Sequence, residues 1–131
     1  MSHFTKVATK INDLVALKKA LDQLGWKYTH AEEGVVVRGY RGQTMKAEIA
    51  IDMGKYDVGV VKQEDGTYSL EADWWGVETT SGLKEEEVAK EVNAKYAYQR
   101  VVAAVEEQGY TIDSNAVQAD GTVKLTVSKW E

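Results

Sequence analysis

Two stretches of the chain show the spacing of apolar residues that is typical of amphipathic helices. The shorter is Leu14–Leu24, in which leucines recur every three or four residues and form a single stripe. Asn12 or Asp13 offers a cap for its amino end, because short polar side chains accept hydrogen bonds from the first turn. Gly25 stands where a left-handed residue commonly ends a helix. The pattern therefore predicts a helix with both of its ends defined.

The longer helical stretch begins near Glu85 and stops at Gly109, with Ser81 as the best candidate for its cap. Its apolar residues fall on two stripes that are rotated from each other around the helix axis. The two stripes are Val88, Val92 and Tyr96, and then Tyr98, Val101, Val102 and Val105. The pattern predicts either a helix that is buried on a broad face or one that bends near Ala94–Ala97.

Elsewhere, apolar and polar residues alternate as they do in half-buried strands, most clearly over Met45–Ile51. Asp65-Gly66 and Asp120-Gly121 are typical of hairpin turns, because both residues tolerate positive φ. His30–Gly34 is interpreted as a turn and Val77–Lys84 as a loop. The predicted strands are His3–Ile11, Val35–Val37, Met45–Ile51, Tyr56–Gln63, Thr67–Trp75, Tyr110–Val117 and Thr122–Trp130.

The resulting order of elements is β-α-β-β-β-β-α-β-β, which lacks the regular strand–helix alternation of a parallel sheet. Short turns join most of the strands. We therefore predict an α+β fold, with an antiparallel β-sheet and two helices packed on one face. The length of 131 residues is that of one domain, so residues 1–131 are expected to form a single α+β domain.

The composition narrows the possible partners. A net charge of −5 at pH 7 makes nucleic acid an unexpected partner, because nucleic-acid binding requires a basic face. The absence of cysteine excludes disulfides and thiolate chemistry. No segment approaches the roughly 20 apolar residues of a membrane span, and the first residues lack the apolar core of a signal peptide. We expect a soluble cytoplasmic protein without membrane contact.

Residues with catalytic or metal-binding chemistry are few and scattered. His3 and His30 lack the spacing of metal ligands, and no serine stands in a nucleophile motif. Asp52, Asp57 and Asp73 lie at strand ends, where a cluster of carboxylates could hold Mg²⁺ or transfer protons. Solvated carboxylates at strand ends are nevertheless far more common. The sequence thus predicts no catalytic residue, no metal ligand and no cofactor.

The aromatic residues offer a better candidate for a site. Four Trp and seven Tyr against one Phe mean that most rings carry a polar group, as rings on binding surfaces do. Alternation along the predicted strand places one ring of Trp74-Trp75 in the core and puts Trp75 on the polar face. Trp75 is therefore a candidate contact residue.

A second candidate lies in the middle of the long helix. Tyr96 and Arg100 are one helical turn apart, and Lys95 and Gln99 fall between the two apolar stripes. These four residues are predicted to contact a protein partner or a small ligand. The alternative is a broad buried face along which lysine stems extend toward water.

Several segments, taken together, resemble one protein family. They are Met1-Ser2-His3-Phe4, the LKKALDQLGW helix, Tyr56-Asp57-Val58-Gly59, the strand from Tyr68 to Trp75, Lys95-Tyr96-Ala97-Tyr98, Gly109-Tyr110, and the closing Asp120-Gly121 with Lys129-Trp130. They resemble the hypothetical chloroplast reading frame thirty-five family, a domain of unknown function of cyanobacteria and algal plastid genomes. The resemblance spans almost the whole chain and is weakest over Gly34–Met53. It implies a small soluble cyanobacterial, plastid or cyanophage protein, in the cytoplasm or the plastid stroma, and no assigned activity, cofactor or catalytic residue.

Three functional hypotheses follow. The favoured one is a non-enzymatic adaptor domain that acts through a protein partner. The second is a regulator that binds a small molecule or nucleotide in a pocket between sheet and long helix, lined by Trp75, Lys95, Tyr96 and Gln99. The third is a metal-dependent hydrolase or nuclease that uses the strand-end carboxylates. The sequence leaves the oligomeric state open.

Overall fold

The centre of the fold is a five-stranded antiparallel sheet. The strands are β1 (Thr5–Ala8), β2 (Tyr28–Arg38), β3 (Thr44–Asp52), β4 (Asp57–Lys62) and β5 (Tyr68–Ala72). The computed structural model describes residues 3–119 and 123–129, and it places the strands side by side in the order β1-β5-β4-β3-β2. All four pairings are antiparallel, as predicted.

Three helices and a separate hairpin complete the fold. The helices are α1 (Leu14–Leu24), α2 (Trp74–Ser81) and α3 (Glu85–Glu107), and the hairpin strands are β6 (Tyr110–Val117) and β7 (Val123–Lys129). The predicted α+β class is therefore confirmed. The predicted turn at Asp120-Gly121 and the predicted strand end at Trp130 lie outside the described residues.

The main core lies between the helices and one face of the sheet. Helices α1 and α3 pack against each other, and both bury apolar side chains there. Fully buried side chains of this core include Leu17 and Leu21 of α1, Val88 and Val92 of α3, and Ile49, Ile51, Val58, Val60 and Leu70 of the sheet. Removing these side chains from water is the dominant favourable contribution to folding.

Helix α1 forms where the sequence predicts it, because both of its ends are defined locally. The Asp13 carboxylate accepts hydrogen bonds from the backbone amides of Val15 at 3.0 Å and Ala16 at 3.2 Å. At the other end, Gly25 adopts φ 75°, and its amide bonds back to the last turn.

Replacing Asp13 by alanine should lower the free energy of unfolding by about 1 kcal/mol, because two first-turn amides lose their acceptor. Urea denaturation followed by circular dichroism would measure this change. Asp13→Asn, which keeps an acceptor oxygen, should retain most of the stability. Equal losses in the two variants would contradict the capping role.

Helix α2 lies where the sequence predicted a strand end and a loop, so this prediction was wrong. The strand predicted to reach Trp75 ends at Ala72, and most of the predicted loop Val77–Lys84 is helical. Asp73 caps the new helix by accepting a hydrogen bond from the Gly76 amide at 3.2 Å. The predicted cap Ser81 is instead the last residue of α2, and Lys84 precedes α3, with its backbone amide donating to Glu87 Oε1 at 3.2 Å. Residues 74–81 are poor helix formers, so periodicity does not reveal a helix that is held by its cap and by burial of Trp74 and Val77.

A bend in the β2–β3 hairpin shapes the opposite face of the sheet. The ladder pairs His30 with Ile49 and Val35 with Ala47, so β2 advances five residues while β3 advances two, which leaves three extra residues in β2. This irregularity lies within the predicted turn His30–Gly34. Beyond it the hairpin folds over the sheet, and the side chain of Val37 lies close against Gly59 of β4.

The folded-over hairpin buries the second face of the sheet. Val37, Ala47 and Ala50 form a smaller core, against which Phe4 and Val61 pack. Ile49 and Ile51 face the helices while Ala50 faces the hairpin, so β3 is covered on both sides. Sequence alternation alone predicts a strand that is buried on one face only.

Helix α3 does not have the broad buried face that one of the two predicted alternatives requires. It is one helix from Glu85 to Glu107, and only the first stripe, Val88, Val92 and Tyr96, is buried. No residue of the second stripe is buried, and Val101 is 50% exposed. The second half of α3 therefore extends away from the main core.

Candidate functional site

The structure brings Tyr96 and Arg100 together with the segment that precedes α1. The Tyr96 hydroxyl accepts a hydrogen bond from the Asn12 amide at 3.1 Å and donates to the Asn12 side-chain oxygen at 3.2 Å. Arg100 Nη1 donates to the same Asn12 oxygen at 3.1 Å and to the Tyr96 hydroxyl at 3.2 Å. These contacts lie in a groove of about 680 Å³ between α3 and residues 8–12. The predicted pair is thus joined by a polar network.

The other predicted residues do not line this groove. Gln99 Nε2 donates to Gln23 Oε1 of α1 at 3.0 Å, and Lys95 is half-buried beside it on α3. Trp75 lies on α2, where its ring meets that of Tyr40. The structure therefore joins Tyr96 with Arg100, but it places Lys95, Gln99 and Trp75 in other surroundings.

Trp75 belongs to an exposed aromatic contact that the sequence does not reveal. Its ring is 6.2 Å from that of Tyr40 in an edge-to-face arrangement, and 52% of the residue is exposed. The guanidinium of Arg41 lies 5.1 Å from the Tyr40 ring centre. Arg41 has a left-handed φ of 51°, which is a strained conformation for a side chain of this size. Only the folded-over hairpin places these residues beside α2.

The strand-end carboxylates have structural partners. Asp57 is 5% exposed and binds Arg38 through two side-chain hydrogen bonds of 2.9 and 2.7 Å, and it also accepts from the Arg38 amide. Asp52 binds Arg38 at 3.1 Å, and Asp73 caps α2. Within the described ranges 3–119 and 123–129, no three His, Cys, Asp or Glu side chains are grouped as a metal site requires. Arg38 occupies the position that a cation would need between Asp52 and Asp57.

A larger groove lies where the bent hairpin meets the sheet and the connection between α1 and β2. We call it the crease groove; its volume is about 940 Å³, and it is lined by Asp22, Gly25, Trp26, Lys27, Tyr28, Thr29, Val36, Arg38, Ala50, Asp52 and Asp57. The hydrogen bonds and charge of Asp57 raise the pKa of Arg38 above its usual value. Burial, followed by the charge of Asp22, raises the pKa of Tyr28. Of these residues, the sequence proposes only Asp52 and Asp57 as members of a possible site.

The C-terminal arm, defined as residues 97–119 and 123–129, differs from the rest of the molecule. None of its described side chains is buried. Val123 and Val127 of the hairpin are 41% and 37% exposed. Ile112 pairs with Val127, so these residues share one apolar face with Val123 and Leu125. The arm thus combines an exposed helical stripe with an exposed face of a hairpin.

Among the described residues, no helix is long and apolar enough to cross a membrane. Residues 20–126 match a family described as "Protein of unknown function (DUF1257)". Proteins named "Uncharacterized protein ycf35" from Guillardia theta, Cyanophora paradoxa and Pyropia yezoensis are each 31% identical to the chain. These alignments cover 99% of the chain and 98% of each relative. No solved structure matches it.

Proposed function

Because the chain belongs to the DUF1257 family, whose description assigns no activity, its function must be inferred from its own surface, and we propose that it is a non-enzymatic protein-binding domain. The membership also confirms the family resemblance found in the sequence. We assign the contact with the protein partner to the C-terminal arm. The observation that carries the proposal is that no described residue after Tyr96 has a buried side chain, although the arm is rich in valine.

The hairpin of the arm needs further contacts to be stable. A two-stranded hairpin is at best marginally stable in water unless a third strand or a helix covers its apolar face. In this protein β6 contacts α3, but Val123 and Val127 stay exposed on the face of the hairpin. A protein that covers this face would bury apolar surface at roughly 25 cal/mol per Å². The arm therefore has the properties of an interface.

The charge distribution supports the same assignment. The arm carries three basic residues, Arg100, Lys124 and Lys129, and three acidic ones, Glu106, Glu107 and Asp113, so its net charge is 0. The whole chain carries −5, so the excess negative charge lies elsewhere. Interface cores are depleted in charged residues. A nearly neutral arm suits a partner that presents an apolar surface.

The residues predicted from the sequence lie at the base of this arm. Lys95, Tyr96, Gln99 and Arg100 occupy the turn of α3 at which the arm leaves the main core. We propose that they contact the same partner at the edge of the interface. Trp75, on α2, is proposed as a separate contact, because exposed Trp, Tyr and Arg side chains are enriched among residues that dominate binding energy. We infer a partner in the cytoplasm or plastid stroma of a cyanobacterial, algal or phage-infected cell.

Replacing Val123 and Val127 by aspartate should weaken partner binding by at least about thirtyfold, which corresponds to roughly 2 kcal/mol at an interface centre. The partner would first be recovered by affinity purification from a lysate of a photosynthetic host. Its affinity for the variants would then be measured by calorimetry. The free energy of unfolding should change little, because neither valine is buried.

Thr126→Asp provides a matched control, since Thr126 is exposed and lies between the two valines on the other face of β7. It introduces a charge of the same sign and should leave binding within about threefold. If the valine variants bind the recovered partner as tightly as the unmodified chain, the arm is not the contact surface. Failure to recover any specific partner would count against a protein-binding function.

A further inference from the structure

We propose that the groove between α3 and the segment before α1 binds a small organic carboxylate, which Arg100 holds as the positively charged group. We call it the Asn12 groove; it is lined by residues 8–12 together with Asn93, Tyr96, Ala97 and Arg100. A free anion can bind there without the protein partner proposed above, so this inference goes beyond the protein-binding function. The site is also separate from the exposed valine face of the arm, which lies on β7.

Side chains from two parts of the chain meet in this groove. Asn93, Ala97 and Arg100 are spaced by four and three residues, so they share one face of α3, and all three are exposed. The Asn12 side chain reaches this face, because its oxygen accepts hydrogen bonds from Arg100 Nη1 at 3.1 Å and from the Tyr96 hydroxyl at 3.2 Å. The volume of about 680 Å³ lies within the range of small-molecule sites, roughly 300–1,000 Å³.

The guanidinium of Arg100 is held through one of its nitrogens and is free at the other two. Nη1 donates both hydrogen bonds, to Asn12 Oδ1 and to the Tyr96 hydroxyl. Nε and Nη2 donate to no described residue, and half of the Arg100 side chain is exposed. These two nitrogens form an edge that can bind both oxygens of a carboxylate side by side. Because the network already positions the guanidinium, less side-chain freedom is lost when a ligand binds.

The charges around the groove favour a ligand with a single negative charge. Lys10 and Arg100 are positively charged, and none of the described lining residues is a carboxylate. Asp13 lies outside the lining, with Oδ2 4.0 Å from Arg100 Nη1, while its Oδ1 caps α1. These three groups leave a local net charge of +1 in a chain of net charge −5. Asp13 would repel a phosphate dianion more strongly than a carboxylate.

Two neutral amides complete the set of donors. The side-chain nitrogens of Asn12 and Asn93 donate to no described residue, and both residues line the groove. Ala97 presents only a methyl group on the same face of α3 as Asn93, which leaves room for a small ligand. The groove therefore offers two cations and two amide donors to one carboxylate.

Binding can be tested by nuclear magnetic resonance on the full chain with ¹⁵N-labelled asparagine. The chain has three asparagines, Asn12, Asn93 and Asn115, and Asn115 lies on β6 outside the groove. Replacing each in turn by glutamine assigns the three side-chain signals. Sodium acetate and sodium propionate should shift the signals of Asn12 and Asn93 saturably at roughly millimolar concentration and leave Asn115 unchanged. Acetamide, and sodium chloride at matched ionic strength, should leave all three signals unchanged.

Three variants separate the contributions to binding. Arg100→Gln should weaken acetate binding about tenfold, because the charge and its paired donors are lost. Lys10→Gln removes one charge and no hydrogen bond between described side chains, and it should weaken binding about threefold. Arg41→Gln is the matched control, since Arg41 is exposed and lies outside the groove, and its affinity should equal that of the unmodified chain.

Several results would overturn the proposal: no saturable shift of Asn12 and Asn93, equal shifts with acetamide, or phosphate binding at least as tight as acetate binding. A further contrary result is a lower free energy of unfolding for Arg100→Gln with unchanged acetate affinity. In that case Arg100 only ties α3 to Asn12. The variants Val123→Asp and Val127→Asp should keep the full acetate affinity, so the two proposals can fail independently.

Discussion

Replacement of Arg38 by methionine should lower the free energy of unfolding by about 2–4 kcal/mol, because it leaves the carboxylate of Asp57 buried without a counter-charge. Asp57 accepts hydrogen bonds from the Arg38 amide, Nε and Nη2, and two of these are lost. The Arg38 side chain is 48% exposed, so water can partly replace its contacts, and the expected loss stays below that of a fully buried pair. Urea denaturation followed by circular dichroism would measure the change.

Two further variants separate charge from packing at this position. Arg38→Lys keeps the charge but loses the fork that binds both carboxylate oxygens, so it should fall between the unmodified chain and Arg38→Met. The double variant Arg38→Met with Asp57→Leu removes both charges and should recover most of the lost stability. A loss below about 0.5 kcal/mol for Arg38→Met alone would show that the bent hairpin does not depend on this pair.

Gly76→Ala should destabilise the protein by about 3 kcal/mol, although glycine-to-alanine changes in exposed helices usually stabilise by up to about 1 kcal/mol. Gly76 lies in α2, and a methyl group there would stand 2.1 Å from Cε2 and 2.3 Å from Cζ of the Tyr56 ring. Such distances require the ring or the helix to move. Because Gly76 is buried, the surrounding packing resists this movement.

The origin of that loss can be isolated by a double-mutant cycle with Tyr56→Ala. If the clash with the ring is the cause, Gly76→Ala should cost at least about 1 kcal/mol less when Tyr56 is already truncated. Glu78→Ala, at an exposed position of the same helix, should change stability by no more than about 0.5 kcal/mol. Purely additive effects of Gly76→Ala and Tyr56→Ala would exclude the ring contact as the cause.

The sequence predicted those parts of the candidate sites in which the residues are close together along the chain. Tyr96 and Arg100 are one turn apart on a helix, and the structure joins them through Asn12. Tyr40 and Arg41 carry no comparable signal, because their relation to Trp75 arises only when the hairpin folds over the sheet. The crease groove was not predicted either, since its walls come from the α1–β2 connection, the bent hairpin and the end of β3.

The amino-acid sequence by itself determined the local elements of this protein: helix α1 with its cap at Asp13 and its stop at Gly25, strand β6, and the antiparallel α+β class. Each of these follows from interactions between residues that are close along the chain, which propensity and periodicity report. Three features were set only by the tertiary structure. Strand β5 ends at Ala72 and is followed by α2, the β2–β3 hairpin bends, and only the first half of α3 is buried. These features depend on contacts between residues that are far apart in the sequence, such as Arg38 and Asp57, which are separated by 19 residues. They also depend on how much apolar surface of the main core remains to be covered.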